Sequence, residues 1–266
     1  MSSPSPDPAP KGPPRAFSLK RVGLSVLRIY VLVCVAMTVF QRKLLYFPTH
    51  EDSSVMAKNF LLKPWTLEGD VIGYAREARQ PRRVWLMLHG NGGQAVDRVY
   101  ALPSFDAEDS VFILEYPGYG RRPGSPSKET FNAAARAGYE HLRQAYPNLE
   151  VNVLGESLGS GAACSLAALS RPPDRIVLVV PFDRLTSVAF EKLWMLPVGL
   201  MLFDRWNNTE ALAHYQGRVD IYGASEDIVI PVHHAKNLAD AVKGSRFHAM
   251  PCGHNEWSEH PYVNLR

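Results

Sequence analysis

The sequence predicts an α/β fold: a mostly parallel central sheet with helices on both faces, a short helical lid and an N-terminal transmembrane helix. Three observations lead to this prediction. Short apolar runs that end in glycine or proline recur along the chain, as buried parallel strands do. Segments with helical spacing alternate with them. A continuous apolar stretch of about 20 residues, the length of a membrane span, lies near the N-terminus.

Composition narrows the classes of function. The chain has 266 residues, 46% hydrophobic and 21% charged, with a net charge of +3. That charge is too small for a nucleic-acid-binding surface. The three cysteines, Cys34, Cys164 and Cys252, cannot form a disulfide framework, and no Cys/His spacing is typical of zinc. We therefore expect no nucleic acid, no cofactor and no metal, and nothing indicates an obligate protein partner.

The N-terminal region divides into two parts. Residues 1–21 are basic and rich in proline and serine, which predicts a disordered tail. Residues 22–41 are apolar apart from Arg28 and a few small polar side chains, which predicts a single-pass transmembrane anchor. A cleaved signal peptide is one alternative, although no A-x-A site follows. A buried helix of a soluble core is another, although such a helix should be amphipathic.

Basic residues on the two sides of this span predict its orientation. They are Lys11, Arg15, Lys20 and Arg21 before it, and Arg42 and Lys43 after it. The positive-inside rule then favours a cytoplasmic N-terminus with the folded domain on the opposite side of the membrane. The second basic pair weakens that preference.

Residues 42–266 are predicted to form one α/β domain. The predicted strands are, in order, VIGYARE, RRVWLMLHG, VFILEYPGYG, VNVLG, RIVLVVPF, RVDIYGA and SRFHAMP. The predicted helices are TFNAAARAGYEHLRQAYP with Thr130 as N-cap, SLGSGAACSLAALS, PVHHAKNLADAVKG from Pro231 to Gly244, and a short last helix at about residues 256–265. Residues 183–216 depart from the alternation and are predicted to form a short helical lid over the carboxyl edge of the sheet.

The strongest chemical signal is Gly155-Glu156-Ser157-Leu158-Gly159, which fits G-x-S-x-G between a predicted strand and a predicted helix. Glycines on either side of the serine remove side chains that would clash in so tight a turn. The serine is thereby raised at the start of a helix. A chance match in a Gly/Ser-rich turn is the alternative, which the strand–turn–helix context disfavours. We therefore predict that Ser157 is a nucleophile.

A nucleophilic serine needs a base, and the base needs an orienting carboxylate. After a G-x-S-x-G serine these follow in the chain order acid, then histidine. Asp227 comes after the strand RVDIYGA, at the edge of the sheet where ligands bind, and is preferred to its rivals Glu226 and Asp220. His254 follows the last strand, in a loop that can return to the serine. Seven other histidines lie in helices, strands, the lid, the glycine-rich loop or near the terminus, and they are interpreted as structural or surface residues.

Two backbone N–H groups are predicted to form an oxyanion hole. One belongs to Leu158, directly after the nucleophile, and the other to Asn91 in the HGNGG loop that follows a buried strand. His89 of that loop is interpreted as structural rather than as a base. A phosphate-binding loop is the alternative, but no G-x-G-x-x-G follows a strand in this sequence.

Taken together, these motifs resemble the α/β-hydrolase superfamily, and within it the membrane-anchored Bem46-like, ABHD13-like and ABHD17-like group. The matching segments are QRKLLYFP after the apolar span, HGNGG, YPGYG, GSPS, GESLGSG, VPF, DIVIP and GHN, between residues 41 and 255. The resemblance implies a Ser157–Asp227–His254 triad that hydrolyses an ester, thioester or amide, and some relatives remove acyl groups from lipidated proteins. Glu115 and the pair Arg121-Arg122 depart from the residues common in relatives, and they border the site.

The sequence thus predicts a serine hydrolase that cleaves a carboxylic ester or thioester of a small-molecule, lipid or acyl substrate. A serine peptidase or amidase on the same fold is the first alternative, and a catalytically inactive binding protein is the second. The predicted lid carries an apolar cluster comprising Leu193, Trp194, Met195, Leu196, Leu200, Met201, Leu202 and Phe203. These side chains either pack on the sheet or form an exposed acyl site that would favour at least medium-length chains.

Overall fold

Eight strands form the central sheet of the structure, a computed structural model that describes residues 19–50 and 61–265. They are β2 (Lys63–Leu67), β3 (Asp70–Arg76), β4 (Arg83–Leu88), β6 (Asp109–Leu114), β7 (Glu150–Glu156), β8 (Arg175–Val179), β9 (Arg218–Ala224) and β10 (Arg246–Met250). Their spatial order is β10-β9-β8-β7-β4-β6-β3-β2. Strands β2 and β3 pair antiparallel at one edge, and all other pairs except β3–β6 are parallel. The predicted mostly parallel α/β fold is confirmed.

The central strands are largely apolar because both of their faces are covered. In β4, Leu86 packs into the core on one face of the sheet, while Trp85 and Met87 pack into the core on the other face. All three side chains are fully buried. A run such as VWLML therefore predicts a strand in the middle of a sheet.

Helices cover the sheet unequally. The helices of the folded domain are α2 (Lys128–Ala145), α3 (Gly159–Ser165), α4 (Leu185–Lys192), α5 (Val198–Met201), α6 (Asn208–Ala211) and α7 (Val232–Ala241). Buried residues of α2, α3 and α7 belong to one core cluster. The second core is closed by a 3₁₀ helix (Ala95–Ser104) and by the C-terminal turns, which contribute Trp257, Val263 and Leu265.

Two local predictions were wrong. Ser127, not Thr130, caps α2: the Ser127 hydroxyl accepts from the Thr130 N–H at 3.1 Å, and the Thr130 hydroxyl accepts from the Ser127 N–H at 2.9 Å. The two residues form a capping box, so the chain enters the helix three residues earlier than predicted. Residues 256–265 form turns rather than a last helix, and Trp257 fixes them by burying its ring in the second core.

The apolar N-terminal segment is one helix, α1 (Leu19–Leu45), with a mean hydropathy of 2.2 over its most apolar window. That window has no buried residues, so the alternative of a buried core helix is wrong. Length and composition suit a membrane span. The predicted tail lies almost wholly outside the described residues, since it ends at residue 21.

The predicted lid region, residues 183–216, contains the three short helices α4, α5 and α6. Some of its large apolar side chains are buried in the core, and others are exposed. Trp194 is 70% exposed, Leu200 82% and Phe203 61%, whereas Val198 and Leu202 are buried. Of the two alternatives for this apolar cluster, packing on the sheet or partial exposure, the structure favours partial exposure.

Candidate active site

Ser157 stands at a sharp turn between β7 and α3. Its φ of 50° lies in the left-handed region, which a residue with a side chain adopts only when its surroundings enforce it. Here the Ser157 N–H donates to the Val179 carbonyl at 2.9 Å, which ties the turn to β8. A Cβ at Gly155 would lie 2.7 Å from the Cβ of Ala163, so a side chain there would separate strand from helix. The glycine pattern thus serves the close approach of β7 and α3.

Ser157, His254 and Asp227 form one chain of hydrogen bonds. His254 Nδ1 and Asp227 Oδ2 lie 2.6 Å apart, and His254 Nε2 and Ser157 Oγ lie 3.0 Å apart. An ionised carboxylate only accepts hydrogen bonds, so the Asp227 contact assigns the proton to Nδ1. Nε2 is then the lone-pair nitrogen that faces the serine hydroxyl. The structure therefore brings together the three residues selected from the sequence.

Asp227 is fixed from its other oxygen. Oδ1 accepts the N–H groups of Val229 at 2.8 Å and Ile230 at 2.7 Å. The loop that follows β9 thus fixes the carboxylate through its own backbone, independently of the contact with His254. A buried carboxylate whose two oxygens both accept hydrogen bonds is a suitable partner for a protonated imidazole.

The rival carboxylates are placed elsewhere. Glu226 is exposed. Asp220 accepts from Arg175 at 2.7 Å and faces His248 at 3.1 Å. Burial acts to raise the pKa of Asp220, but these two partners outweigh it and hold that pKa below its usual value. Asp220 is therefore part of a structural ion pair at the start of β9.

Asn91 and Leu158, the predicted oxyanion donors, both line the cavity that contains Ser157. Within the described part of the chain, neither backbone N–H donates a hydrogen bond. The N–H of the neighbouring Gly90 is engaged, since it donates to Glu156 Oε2 at 3.0 Å. Both N–H groups are therefore available as donors in residues that line the cavity, as an oxyanion hole requires.

The Asn91 side chain holds this loop against the end of α1. Its amide nitrogen donates to the Leu45 carbonyl, and its amide oxygen accepts from the Phe47 N–H at 3.2 Å and the Tyr119 hydroxyl at 2.9 Å. Strands β1 (Phe47–Pro48) and β5 (Gly92–Gly93) pair in parallel alongside. The segment that follows α1 is thus bonded directly to the proposed oxyanion loop.

Sequence reasoning missed the buried Glu156, which occupies the first variable position of G-x-S-x-G. It accepts from Tyr100 at 2.7 Å, from the Trp257 ring at 3.0 Å and from the Gly90 N–H, and it lies 3.9 Å from the Arg98 guanidinium. Burial alone would raise the pKa of Glu156, but the Arg98 charge and these donors hold it below its usual value. The ionised carboxylate therefore ties the nucleophile turn to the HGNGG loop.

Glu115, one of the departures from the family pattern, has a structural position. It is buried, and its carboxylate accepts the Ala95 N–H at 3.1 Å. His89 Nε2 lies 3.5 Å from the same carboxylate, while Nδ1 faces the Gly90 carbonyl at 2.8 Å. His89 is fully buried and outside the hydrogen-bonded chain of Ser157, in agreement with its interpretation as a structural residue.

The cavity beside Ser157 measures about 590 Å³. Its walls include Phe47 from the connecting segment, Leu185 and Val188 from α4, and Ile230 from the Asp227 loop. Such walls suit an apolar substrate group. Among the described residues, Glu191, His233 and His234 are close enough to one another to hold a metal ion. They do not line the cavity beside Ser157.

The fold and the turn at Ser157 define an α/β protein of the hydrolase type. A family profile described as alpha/beta hydrolase fold matches residues 84–218. The chain is 32% identical over 257 residues to an uncharacterized protein of Mycobacterium tuberculosis, covering 90% of this chain and 91% of that one. The chain therefore belongs to the α/β-hydrolase fold family.

Relatives with descriptive names include a lysophosphatidylserine lipase and protein bem46. Lysophosphatidylserine lipase ABHD12 of Danio rerio is 27% identical over 66% of this chain and 52% of its own length. Protein bem46 of Schizosaccharomyces pombe is 26% identical over 68% of this chain and 64% of its own length. The chain thus spans about half the length of ABHD12. The predicted resemblance to Bem46-like α/β-hydrolases is confirmed.

Solved structures agree on the fold. An esterase of Pyrococcus furiosus superposes with a TM-score of 0.60 at 14% identity, covering 81% of this chain and 95% of that one. At that identity the likeness concerns the fold alone.

Proposed function

We propose that this chain is a serine hydrolase that cleaves a carboxylic ester or thioester through an acyl-enzyme on Ser157. The observation that carries the proposal is the hydrogen-bonded chain Ser157–His254–Asp227 at a strand–turn–helix elbow, with contacts of 3.0 and 2.6 Å. A nucleophile, a base in the required tautomer and an orienting acid are the parts that acyl transfer needs.

In the proposed first half-reaction, His254 Nε2 accepts the Ser157 proton as Oγ attacks the substrate carbonyl. The negative charge that forms on the carbonyl oxygen is bound by the N–H groups of Asn91 and Leu158. Asp227 stabilises the imidazolium, which then protonates the departing alcohol or thiol. The acyl group remains on Oγ.

In the second half-reaction, His254 accepts a proton from water, and the resulting nucleophile attacks the acyl carbon. The same two N–H groups bind the oxyanion again. Collapse of the intermediate releases a carboxylic acid, and His254 returns its proton to Ser157.

An acyl or lipid substrate fits the surroundings of Ser157. The cavity is lined by side chains such as Phe47, Leu185 and Val188, and the adjoining lid exposes Trp194 and Leu200. The relative named lysophosphatidylserine lipase supports the same class. The substrate range that we propose is therefore acyl esters or thioesters of at least medium chain length.

We further propose that α1 is a single-pass membrane anchor through residues 22–41, with a cytoplasmic N-terminus and the catalytic domain on the opposite side. The support is a helix of 27 residues whose apolar window contains no buried residue. Exposed leucines, valines and isoleucines along such a length are stable in hydrocarbon rather than in water.

The test is hydrolysis of p-nitrophenyl esters from acetyl to palmitoyl, an acyl thioester and an aminoacyl amide, together with labelling by a fluorophosphonate. Ser157→Ala should abolish labelling and turnover, leaving only the small residue of catalysis that survives loss of a triad member. Retention of more than about a tenth of kcat would contradict the assignment. Cleavage of the amide in preference to the esters would favour the peptidase alternative, and an unlabelled wild-type serine would favour an inactive binding protein.

A further inference from the structure

Two side chains of the membrane helix α1, those of Tyr30 and Gln41, form hydrogen bonds with the lid. The Tyr30 hydroxyl donates to the Met195 carbonyl at 2.9 Å. Gln41 donates to the Met201 carbonyl at 3.0 Å and accepts the Phe203 N–H at 2.7 Å. Because the contacts run from Tyr30 to Gln41, the helix and the lid form one structural unit.

A charged contact extends this unit at the membrane boundary. Asp204 is buried at the end of the apolar lid segment. It accepts from Arg42 at 3.2 Å and from the Tyr46 hydroxyl at 2.8 Å. A buried carboxylate with two donors fixes the position of α1 relative to the lid more strongly than apolar contact alone.

An apolar groove of about 140 Å³ lies between the two elements. Met37, Leu44 and Leu45 of α1 form one wall, and Ala189, Leu193 and Met201 of the lid form the other. Gln41 is the polar residue among its walls. Its amide is already hydrogen-bonded to the backbone of Thr38, Met201 and Phe203. The groove therefore offers hydrocarbon surface without a free polar partner.

The groove adjoins the cavity of Ser157. Leu45 lines both spaces, and Val188 of the cavity precedes Ala189 of the groove on α4. An acyl group whose carbonyl lies at Ser157 can therefore extend past Leu45 between α1 and the lid. A chain in that position is in contact with the helix that spans the membrane.

The depth of the lid follows from the Tyr30 contact. Tyr30 precedes Gln41 by 11 residues, which is about 16 Å along a helix at 1.5 Å per residue. The hydrocarbon core is about 30 Å thick, so the lid beside Tyr30 reaches about the middle of the bilayer. Its exposed side chains agree with that position: Trp194 is 70% exposed and Met195 66%.

We propose that the lid is sunk into one leaflet beside α1, and that the groove takes the acyl chain of a bilayer lipid sideways from that leaflet. The inference rests on the proposed acyl hydrolysis and on the proposed anchor. It adds that the membrane helix is part of the substrate site, and that the substrate is a lipid resident in the membrane rather than a dissolved ester.

The groove is tested by filling it. Ala189→Phe places a ring in the groove, and Ala137→Phe, on the exposed face of α2, is the matched control. In nanodiscs, the ratio of kcat/KM for palmitoyl to acetyl ester should fall more than about tenfold in the Ala189 variant, since contact with each methylene is worth about fourfold. The control should keep the wild-type ratio. An unchanged ratio in a variant that still reacts with a fluorophosphonate would overturn the groove and leave the Ser157 mechanism standing.

The depth of the lid is tested without turnover. Trp194 is exposed, whereas Trp65, Trp85, Trp206 and Trp257 are each at most 5% exposed, so contact quenchers report on Trp194. Full-length protein in vesicles of lipid brominated on the acyl chain should be quenched, and Trp194→Phe should lose that quenching. Quenching by aqueous acrylamide instead of by the brominated lipid would place the lid in water and overturn the proposal, whether or not the protein hydrolyses esters.

Discussion

Asp227 holds His254 through one carboxylate oxygen while its other oxygen accepts two backbone N–H groups. Asp227→Asn should keep this geometry but favour the wrong imidazole tautomer, which costs about 10⁴ in kcat at such a position. Glu226→Gln, at the exposed neighbour, is the matched control and should be nearly neutral. Steady-state kinetics on a short-chain ester compare the two. A larger loss in the Glu226 variant would reverse the choice of acid.

The Asn91 side chain should matter even though its proposed catalytic group is a backbone N–H. Asn91→Ala removes the bonds to Leu45 and Phe47 and frees the oxyanion loop. A displacement of about 1 Å can cost 10²-fold in rate, so kcat should fall by about 10- to 100-fold with little change in KM. Tyr119→Phe removes a single partner of Asn91 and should have a smaller effect. An unchanged kcat in Asn91→Ala would show that the loop is held without this side chain.

Sequence reasoning found residues of the site that belong to short motifs and missed those whose partners are distant. Ser157 and Asn91 stand in glycine-rich turns whose spacing has a steric cause. Glu156 stands at a variable position, and its partner Tyr100 is 56 residues away. Likewise, the Asn91 amide meets Leu45 across 46 residues. No local pattern encodes such contacts, because only the assembled sheet brings the residues together.

At the scale of elements, the apolar strands were predictable because burial on both faces leaves a continuous run, as in β4. The antiparallel edge strand β2 was missed because its KPWTL alternates polar and apolar residues over a short length. The pairing of β1 with β5 was also missed, since two glycines and a Phe-Pro pair carry no strand signal. The predicted last helix was wrong because the chain there is anchored by Trp257 instead of by helical packing.

A buried ion pair joins the predicted lid region to α7. This pair makes the stability of the domain depend on pH. His234 Nδ1 lies 2.8 Å from Asp183 at the start of the lid. Burial alone would lower the pKa of His234, but Asp183 and the Glu191 carboxylate 3.4 Å from Nε2 outweigh it, so the pKa of His234 is raised. Burial alone would raise the pKa of Asp183, but hydrogen bonds from His234 and the Arg184 N–H outweigh it, so that pKa is lowered.

The sign of the effect follows from these shifts. The raised pKa of His234 gives stability that is complete below its unfolded value, about 6.5, and is lost as pH rises through the folded value. The lowered pKa of Asp183 gives stability that is present above about 3.9 and is lost as pH falls through the folded value. The pair is therefore strongest between those limits, near pH 5.5.

His234→Gln should accordingly destabilise the domain most at that pH. The loss should be about 1.5–3 kcal/mol, the worth of a hydrogen bond to a charged group, and it should be smaller at pH 9. Urea unfolding of both proteins at the two pH values gives the difference. His233→Gln, at the exposed neighbour, is the control. An equal loss at both pH values would mean that the buried pair is not ionised.

On the scale of the whole molecule, the anchor and the lid should attach the protein to membranes in two different ways. The full chain should resist high salt and alkaline carbonate and be released by detergent, because we propose that residues 22–41 cross the hydrocarbon core. A chain that lacks residues 1–21 should behave identically, since it keeps the span. A chain that lacks residues 1–41 should still bind vesicles through exposed lid side chains such as Trp194 and Leu200, but carbonate should release it. Release of the full chain by carbonate would exclude the span.

For the proposed orientation, protease added to sealed vesicles with the cytoplasmic face outward should cut an N-terminal tag and spare the catalytic domain, because basic residues before the span are retained on the cytoplasmic side. Protection of the tag and digestion of the domain would reverse that orientation while leaving the anchor, the groove and the Ser157 site as proposed.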